Sequence, residues 1–465
     1  MLIAGRTLQG IGGGGVNMLI ELIVCDLVPL RERPKFMGVV FILFAVGSAM
    51  GPFIGGVLVS PSYLVPFVRG SDPIGQVQDV SWRWVFYINL PIAGVALITL
   101  YISLHVNYKR TTFRESIGRF DWFGSFLVIT AAIAVLFALT YGGSRYSWSS
   151  WRVVVPLVLG LLGLVGFHVF EAVGWAKDPL MPPHLFGNRT SAIAFFATFI
   201  HGFIFIWVVY FLPVYFQAVL GSSTTRAGVQ LLPTVILMIP FALVGAQYVE
   251  KTGRYKPVHI VSIALMAIGV GTFAILDEDS GTGMWVGLQV LQIAGMGTIT
   301  TALLPAVQAS LTDEDNASST AAFAYIRSYG AIWGISIPVA VFNNQFNQHL
   351  HWISDPSVRM RMSGGNAYEL GNKEFLSTLP DGVRTEVVRV FVRALRITWI
   401  VGAAIAAASC LVTFFEKEVE LRTELETDFG LKDKKEKIVE EEAETSNTPA
   451  EEDGSEKPDK SGSEL

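Results

Sequence analysis

Residues 36–59 read Phe36-Met37-Gly38-Val39-Val40-Phe41-Ile42-Leu43-Phe44-Ala45-Val46-Gly47-Ser48-Ala49-Met50-Gly51-Pro52-Phe53-Ile54-Gly55-Gly56-Val57-Leu58-Val59, without a charged residue. A helix of about 20 such residues crosses the hydrocarbon core of a bilayer. The run is too long for a membrane strand and lacks its alternation. Ten more runs of this kind follow the same pattern, at 2–24, 84–104, 122–141, 153–173, 191–212, 228–249, 258–276, 284–304, 320–342 and 396–415. Outside a closed barrel, only helices satisfy every backbone group in lipid. The reading is an all-α, polytopic helical membrane protein with eleven spans.

Composition agrees. The 465 residues are 51% hydrophobic and 16% charged, with a mean hydropathy of +0.48, whereas soluble domains carry about 25% charged residues. The charge is uneven. Residues 416–465 hold 8 Lys/Arg and 18 Asp/Glu, against 26 and 21 in the first 415. A soluble enzyme, a disordered scaffold and a secreted disulfide protein are all excluded. Cys25 and Cys410 lie in apolar runs and read as small buried hydrophobes, and two cysteines make neither a disulfide framework nor a metal site. No His/Glu/Cys cluster has metal spacing, no HExxH, GxSxG or P-loop occurs, and no cofactor or ATPase activity is implied. No basic stripe with interleaved aromatics points to nucleic acid.

Lys and Arg set the orientation, since cytoplasmic loops carry their excess. One set of alternate short loops, which includes Arg31, Arg33, Lys35, Lys251, Arg254 and Lys256, holds 12 Lys/Arg, and the opposite set holds 5. Loop 305–319 of the first set has none. The first set is read as cytoplasmic, which places Met1 outside and the acidic tail inside. A helix entering from outside normally follows one that carried the chain out, so further helices upstream are expected. Loop 61–82 is long for a connection between neighbours. Segment 343–395 is longer and polar, with a short amphipathic helix expected at 383–395. The sequons at Asn188 and Asn316 fall in cytoplasmic loops and are set aside.

Several polar residues lie at membrane depth. Gly10, Gly12 and Gly15 fit the dinucleotide pattern G-x-G-x-x-G, but no strand precedes them, so they read as a smooth face for helix packing. Arg6 either snorkels to the interface or faces a polar cavity. Gly47, Gly51 and Gly55 line one helix stripe, and Pro52 removes a backbone hydrogen bond and makes a hinge. Glu21 and Asp26 read either as interfacial carboxylates near Arg31 and Arg33 or as gating charges. Arg327 reads as paired or cavity-facing, and His168 and His201 as satisfied core residues. Trp207, Tyr210, Phe211, Tyr215 and Gln217 line one span end as an interfacial belt or a cavity wall. Gln289 and Gln292 share a helix face that suits the same cavity.

These motifs carry a resemblance. Gly5-Arg6…Gln9-Gly10…Gly12 resembles the R-x-x-Q-G signature of drug/proton antiporters of the major facilitator superfamily. Gly47, Gly51, Pro52, Gly55 and Gly56 match the antiporter motif G-x-x-x-G-P-x-x-G-G, and Asp26 to Arg33 resembles a loop of the fourteen-helix branch of fungal toxin and multidrug exporters. Glu250, Lys251, Gly253 and Arg254 resemble the gating-loop motif G-x-x-x-D-R-x-G-R, with conservative departures. The resemblance covers nearly all of 1–415 and departs from the family at 61–79, where a short turn is usual. It implies that 1–106 is the second half of a first helix bundle, lacking its first three helices. It further implies a central two-span linker at 107–189, a second six-span bundle at 190–415, and a disordered acidic cytoplasmic tail at 416–465. The implied function is export of a hydrophobic small molecule (a secondary metabolite, toxin or drug) in exchange for protons. Arg6, Gln9, Gly10, Glu21 and Asp26 would serve transport and proton coupling. A related siderophore-type uptake carrier and an inactive remnant remain alternatives. The expected partners are the substrate, protons and the lipid bilayer, with no obligatory protein partner. The expected location is the plasma membrane, or else a vacuolar or vesicle membrane.

Overall fold

The computed structural model describes residues 2–59, 87–103, 118, 120–142, 145–174 and 179–422. Each expected apolar run meets one long helix. These are α1 (Leu2–Leu27), α2 (Arg33–Val59), α3 (Asn89–Ser103), α4 (Trp122–Tyr141), α5 (Trp151–Val173), α6 (Arg189–Val214), α7 (Thr224–Thr252), α8 (Lys256–Thr272), α9 (Thr282–Thr300), α10 (Asn316–His349) and α11 (Asp381–Thr413). Among the described residues, eight of these helices are long and apolar enough to cross a membrane. Among the described residues no strand forms, and one isolated bridge joins Gly142 to Tyr146.

Local chemistry sets the ends. Asp121 Oδ1 accepts from the Gly124 amide at 2.8 Å to open α4, and Asn188 Oδ1 accepts from the Ser191 amide at 2.8 Å to open α6, each satisfying an otherwise orphaned donor. That use of Asn188 fits the rejection of its sequon. At the end of α7, Gly253 turns left-handed, with φ +69°. The amphipathic stretch expected at 383–395 is not a separate helix. It is continuous with the last span, and Phe391 packs on Phe342 and Phe346 of α10.

Helices α6 to α11 form one bundle, with α6 on α10, α7 on α9, α8 on both α9 and α11, and α10 on α11. The α6–α10 seam is close because a Cβ at Gly202, Gly330 or Gly334 would collide with the carbonyls of Arg327, Phe199 and Phe203 respectively. Helices α4 and α5 pair with each other, α2 lies along α7, and α1 leans on α10. The chain stays packed past Glu416: residues 416–422 form a strap with Leu421 buried. Loop 61–82, most of 104–119 and the tail beyond 422 lie outside the described residues. Gly51, Pro52, Gly55 and Gly56 belong to the helical backbone of α2, and their surroundings lie outside what is described.

Candidate functional site

Where α1 meets α10, Glu21 Oε1 lies 2.6 Å from Arg327 Nη1. Glu21 is only 5% exposed, and among the described residues its Oε2 has no hydrogen-bond partner. The Arg327 guanidinium also sits 5.2 Å over the Phe323 ring, one turn back on α10. Beside it on α6, His201 Nε2 is 2.9 Å from Thr300 Oγ1. Ions at this depth are costly unless paired, so each charge holds the other in place. Glu21 therefore pairs across helices with Arg327, and not with the Arg31 and Arg33 of its own loop.

Towards the expected cytoplasmic side lies a node centred on Arg33, which is fully buried. Its guanidinium donates to the Cys25 carbonyl at 2.7 Å and the Val28 carbonyl at 3.0 Å, closing the end of α1. It also donates to Gln308 Oε1 at 2.6 Å and Asn316 Oδ1 at 3.2 Å, crossing to the connection between α9 and α10. Gln308 Nε2 in turn donates to Ser319 and Thr320, at 3.1 Å each. Five donors in a planar fork suit this task, and an ammonium does not. Sequence reasoning used Arg33 as a topological charge, as a neighbour for Glu21 and Asp26 and as part of the loop resemblance, but not as a bridge to the α9–α10 connection. The signal for its role was loop 305–319, polar yet free of Lys and Arg.

The gating-loop residues close a third contact. Arg31 donates to the Glu250 carbonyl at 2.9 Å and the Lys251 carbonyl at 3.1 Å, and Lys35 Nζ lies 3.7 Å from Glu250 Oε1. Arg254 reaches Glu418 of the strap at 4.0 Å. The strap itself is anchored by Glu416, whose carboxylate lies 2.9 Å from His259 Nδ1 with both side chains buried. The Tyr255 hydroxyl donates to the Lys417 carbonyl and accepts from the Val419 amide. Burial, reinforced by the carboxylates of Glu416 and Glu418, holds the Tyr255 phenol above its ordinary value. The Arg31 amide donates to the Arg422 carbonyl at 3.1 Å.

Other expected residues lie apart from this clasp. Arg6 is exposed and donates to Gln9 Oε1 at 3.2 Å, while around Gly10 and Gly47 no described atom lies within 4 Å of an added Cβ. Asp26 is half-buried within electrostatic reach of Arg33. Gln289 is buried, accepting from Thr234 at 2.8 Å and donating to the Gln230 carbonyl at 3.1 Å, which ties α9 to α7. Gln292 is buried against Gly269 of α8. The Tyr215 hydroxyl donates to the Asp277 carbonyl, and Gln217 Oε1 accepts from Thr224 at 3.4 Å. Among the described residues no group of His, Cys, Asp or Glu is arranged to hold a metal.

The chain, helical across its described residues and with paired intramembrane charges, matches the profile of the Major Facilitator Superfamily over residues 1–335. The chain belongs to that superfamily. This facilitator is accordingly a multi-pass membrane protein. It is 46% identical over 438 residues to the MFS-type transporter gkaD of Penicillium citrinum, covering 94% of this chain and 72% of that protein. It is 45% identical to the MFS efflux transporter aclA of Aspergillus oryzae, covering 93% and 75%. It is 44% identical to the MFS-type efflux transporter pyiT of Pyricularia grisea, covering 92% and 68%.

Proposed function

We propose that this facilitator is a secondary active transporter that exports a hydrophobic small molecule, of secondary-metabolite, toxin or drug type, in exchange for protons. The observation that carries this reading is the Glu21–Arg327 pair, a buried carboxylate and guanidinium joining α1 to α10. A proton arriving on Glu21 cancels its charge and loosens α1 from α10, and proton release restores the pair. Such a two-state contact is what alternating access requires of helix sets that rock about a central site. Segments 1–106 and 190–415 are the moving parts, with 107–189 between them. The membrane potential contributes about 2.3 kcal/mol per proton charge per 100 mV. Tyr325, Tyr329 and Trp333 run along α10 with ring centroids 5.8 Å apart, and Phe199 of α6 lies 6.0 Å from Tyr329. They provide flat apolar faces suited to a hydrophobic cargo. The relatives named as efflux transporters support the outward direction.

The test uses inside-out vesicles with an acidified interior and a hydrophobic fluorescent dye. Dye should accumulate, and a protonophore should abolish the accumulation. Glu21→Gln at matched abundance should reduce it at least about tenfold, the loss of roughly 1.4 kcal/mol of coupling. Accumulation indifferent to the protonophore would refute proton exchange. Flux in the opposite direction would refute export.

A further inference from the structure

At the end of the bundle opposite the Arg33 node, a cleft of about 340 Å³ opens between three elements. Its walls carry Glu278 from the α8–α9 connection, His349 and Trp352 from the end of α10, and Arg389, Arg393 and Arg396 from α11. The three arginines stand at i, i+4 and i+7, which places them on one helix face. Among the lining side chains the three guanidiniums outnumber the one carboxylate, Glu278. Of the nearby carboxylates, Asp381 pairs with Arg384 at 3.0 Å, while Glu386 accepts from the Ser354 amide at 2.7 Å and its hydroxyl at 2.8 Å and offsets part of the charge of Arg389.

The position matters as much as the charge. Arg396 begins the apolar run 396–415 and donates to the Ala274 carbonyl at 3.1 Å, so the cleft floor lies at the membrane boundary. Trp352 is 44% exposed and meets His349 edge to face at 4.6 Å, as aromatics do at headgroup level. The opposite short loops on this side hold only 5 Lys/Arg, yet four arginines crowd into 384–396. Guanidinium groups converging on a cleft match phosphate oxygens, which they bind in paired hydrogen bonds.

We infer that this cleft binds a phosphate group at the membrane boundary. Two sources share that chemistry, a phospholipid headgroup and a free phosphate in solution. The site does not depend on the export reading, because it lies away from the Glu21–Arg327 pair. The purified full chain in neutral detergent is titrated separately with dioctanoyl phosphatidic acid and with inorganic phosphate, and the apparent affinity is read from the shift in thermal midpoint. Wild type should saturate with phosphatidic acid. The Arg389→Gln/Arg393→Gln variant should bind it at least about tenfold more weakly, since it removes two charged hydrogen-bond donors from the cleft. Arg384→Gln, on the same helix but outside the cleft, should bind like wild type. Saturation by phosphatidic acid alone identifies a lipid headgroup. Equal saturation by inorganic phosphate, lost in the double variant, identifies a free-anion site. No saturation by either probe, or equal saturation in wild type and the double variant, overturns the inference.

Discussion

Replacing Arg33 with alanine tests whether the buried node holds its end of the bundle closed. Among the described residues, Arg33 caps its own helix end with two hydrogen bonds and crosses to Gln308 and Asn316 with two more. Of these four, the crossing pair opposes separation of α1 from the α9–α10 connection. Bonds to a charged donor contribute about 1.5–3 kcal/mol each, so the lower bound for two is about 3 kcal/mol. At 1.4 kcal/mol per decade, the open population should rise about 100-fold. Cys25 provides the readout. It is fully buried in the node, with its Sγ 3.5 Å from Thr320 Oγ1, and Cys410 is the only other cysteine in the chain. In a Cys410→Ala background, Cys25 should react with a membrane-permeant maleimide about 100-fold faster when Arg33 is alanine, provided that opening limits labelling. Arg33→Lys should fall between, because an ammonium cannot span all four acceptors. A change below about threefold in the alanine variant, at unchanged folding, would mean that the crossing bonds do not hold the closed state.

Three further outcomes follow from the packing. Gly330→Leu should destabilise the protein by about 3 kcal/mol and sharply reduce monodisperse yield, because its side chain meets the Phe199 backbone; Gly47→Ala, with no described atom within 4 Å, should be nearly silent. Removing residues 431–465 should leave transport and the melting temperature unchanged, whereas removing 416–465 strips the buried partner from His259 and should cost about 3 kcal/mol; equal melting of the two deletions would show that the strap contributes nothing. Arg6→Ala should abolish efflux at normal surface abundance, as the family resemblance implies, and normal efflux would leave coupling to Glu21 and Arg327.

The helices were legible because a membrane span is a one-dimensional signal: length and apolarity suffice, and each expected run met a helix. Arg327 was legible as a paired cation for the same reason, since its depth could be counted along its run. Its partner was not, because pairing is a three-dimensional fact. Arg33 and Gln308 are 275 positions apart, and no local pattern brings such residues together. Composition also misdirects at boundaries. The charged stretch beginning at Glu416 reads as solvated tail, yet its first residues include a carboxylate matched to His259 and a leucine that is buried. The polar character of 383–395 suggested a separate helix, whereas its apolar face continues without interruption into α11.

The strap also bears on the order in which this protein can assemble. The Arg31 amide finds its acceptor in the Arg422 carbonyl, 391 positions later in the chain. At synthesis rates of 5–20 residues per second, roughly 20–80 s separate the emergence of these two groups. Through that interval the loop between α1 and α2 must be kept hydrated or held by another protein at the translocon. The face that carries the strap is therefore completed last, and a ribosome that stalls before residue 416 leaves a molecule with its helices inserted and this face unfinished.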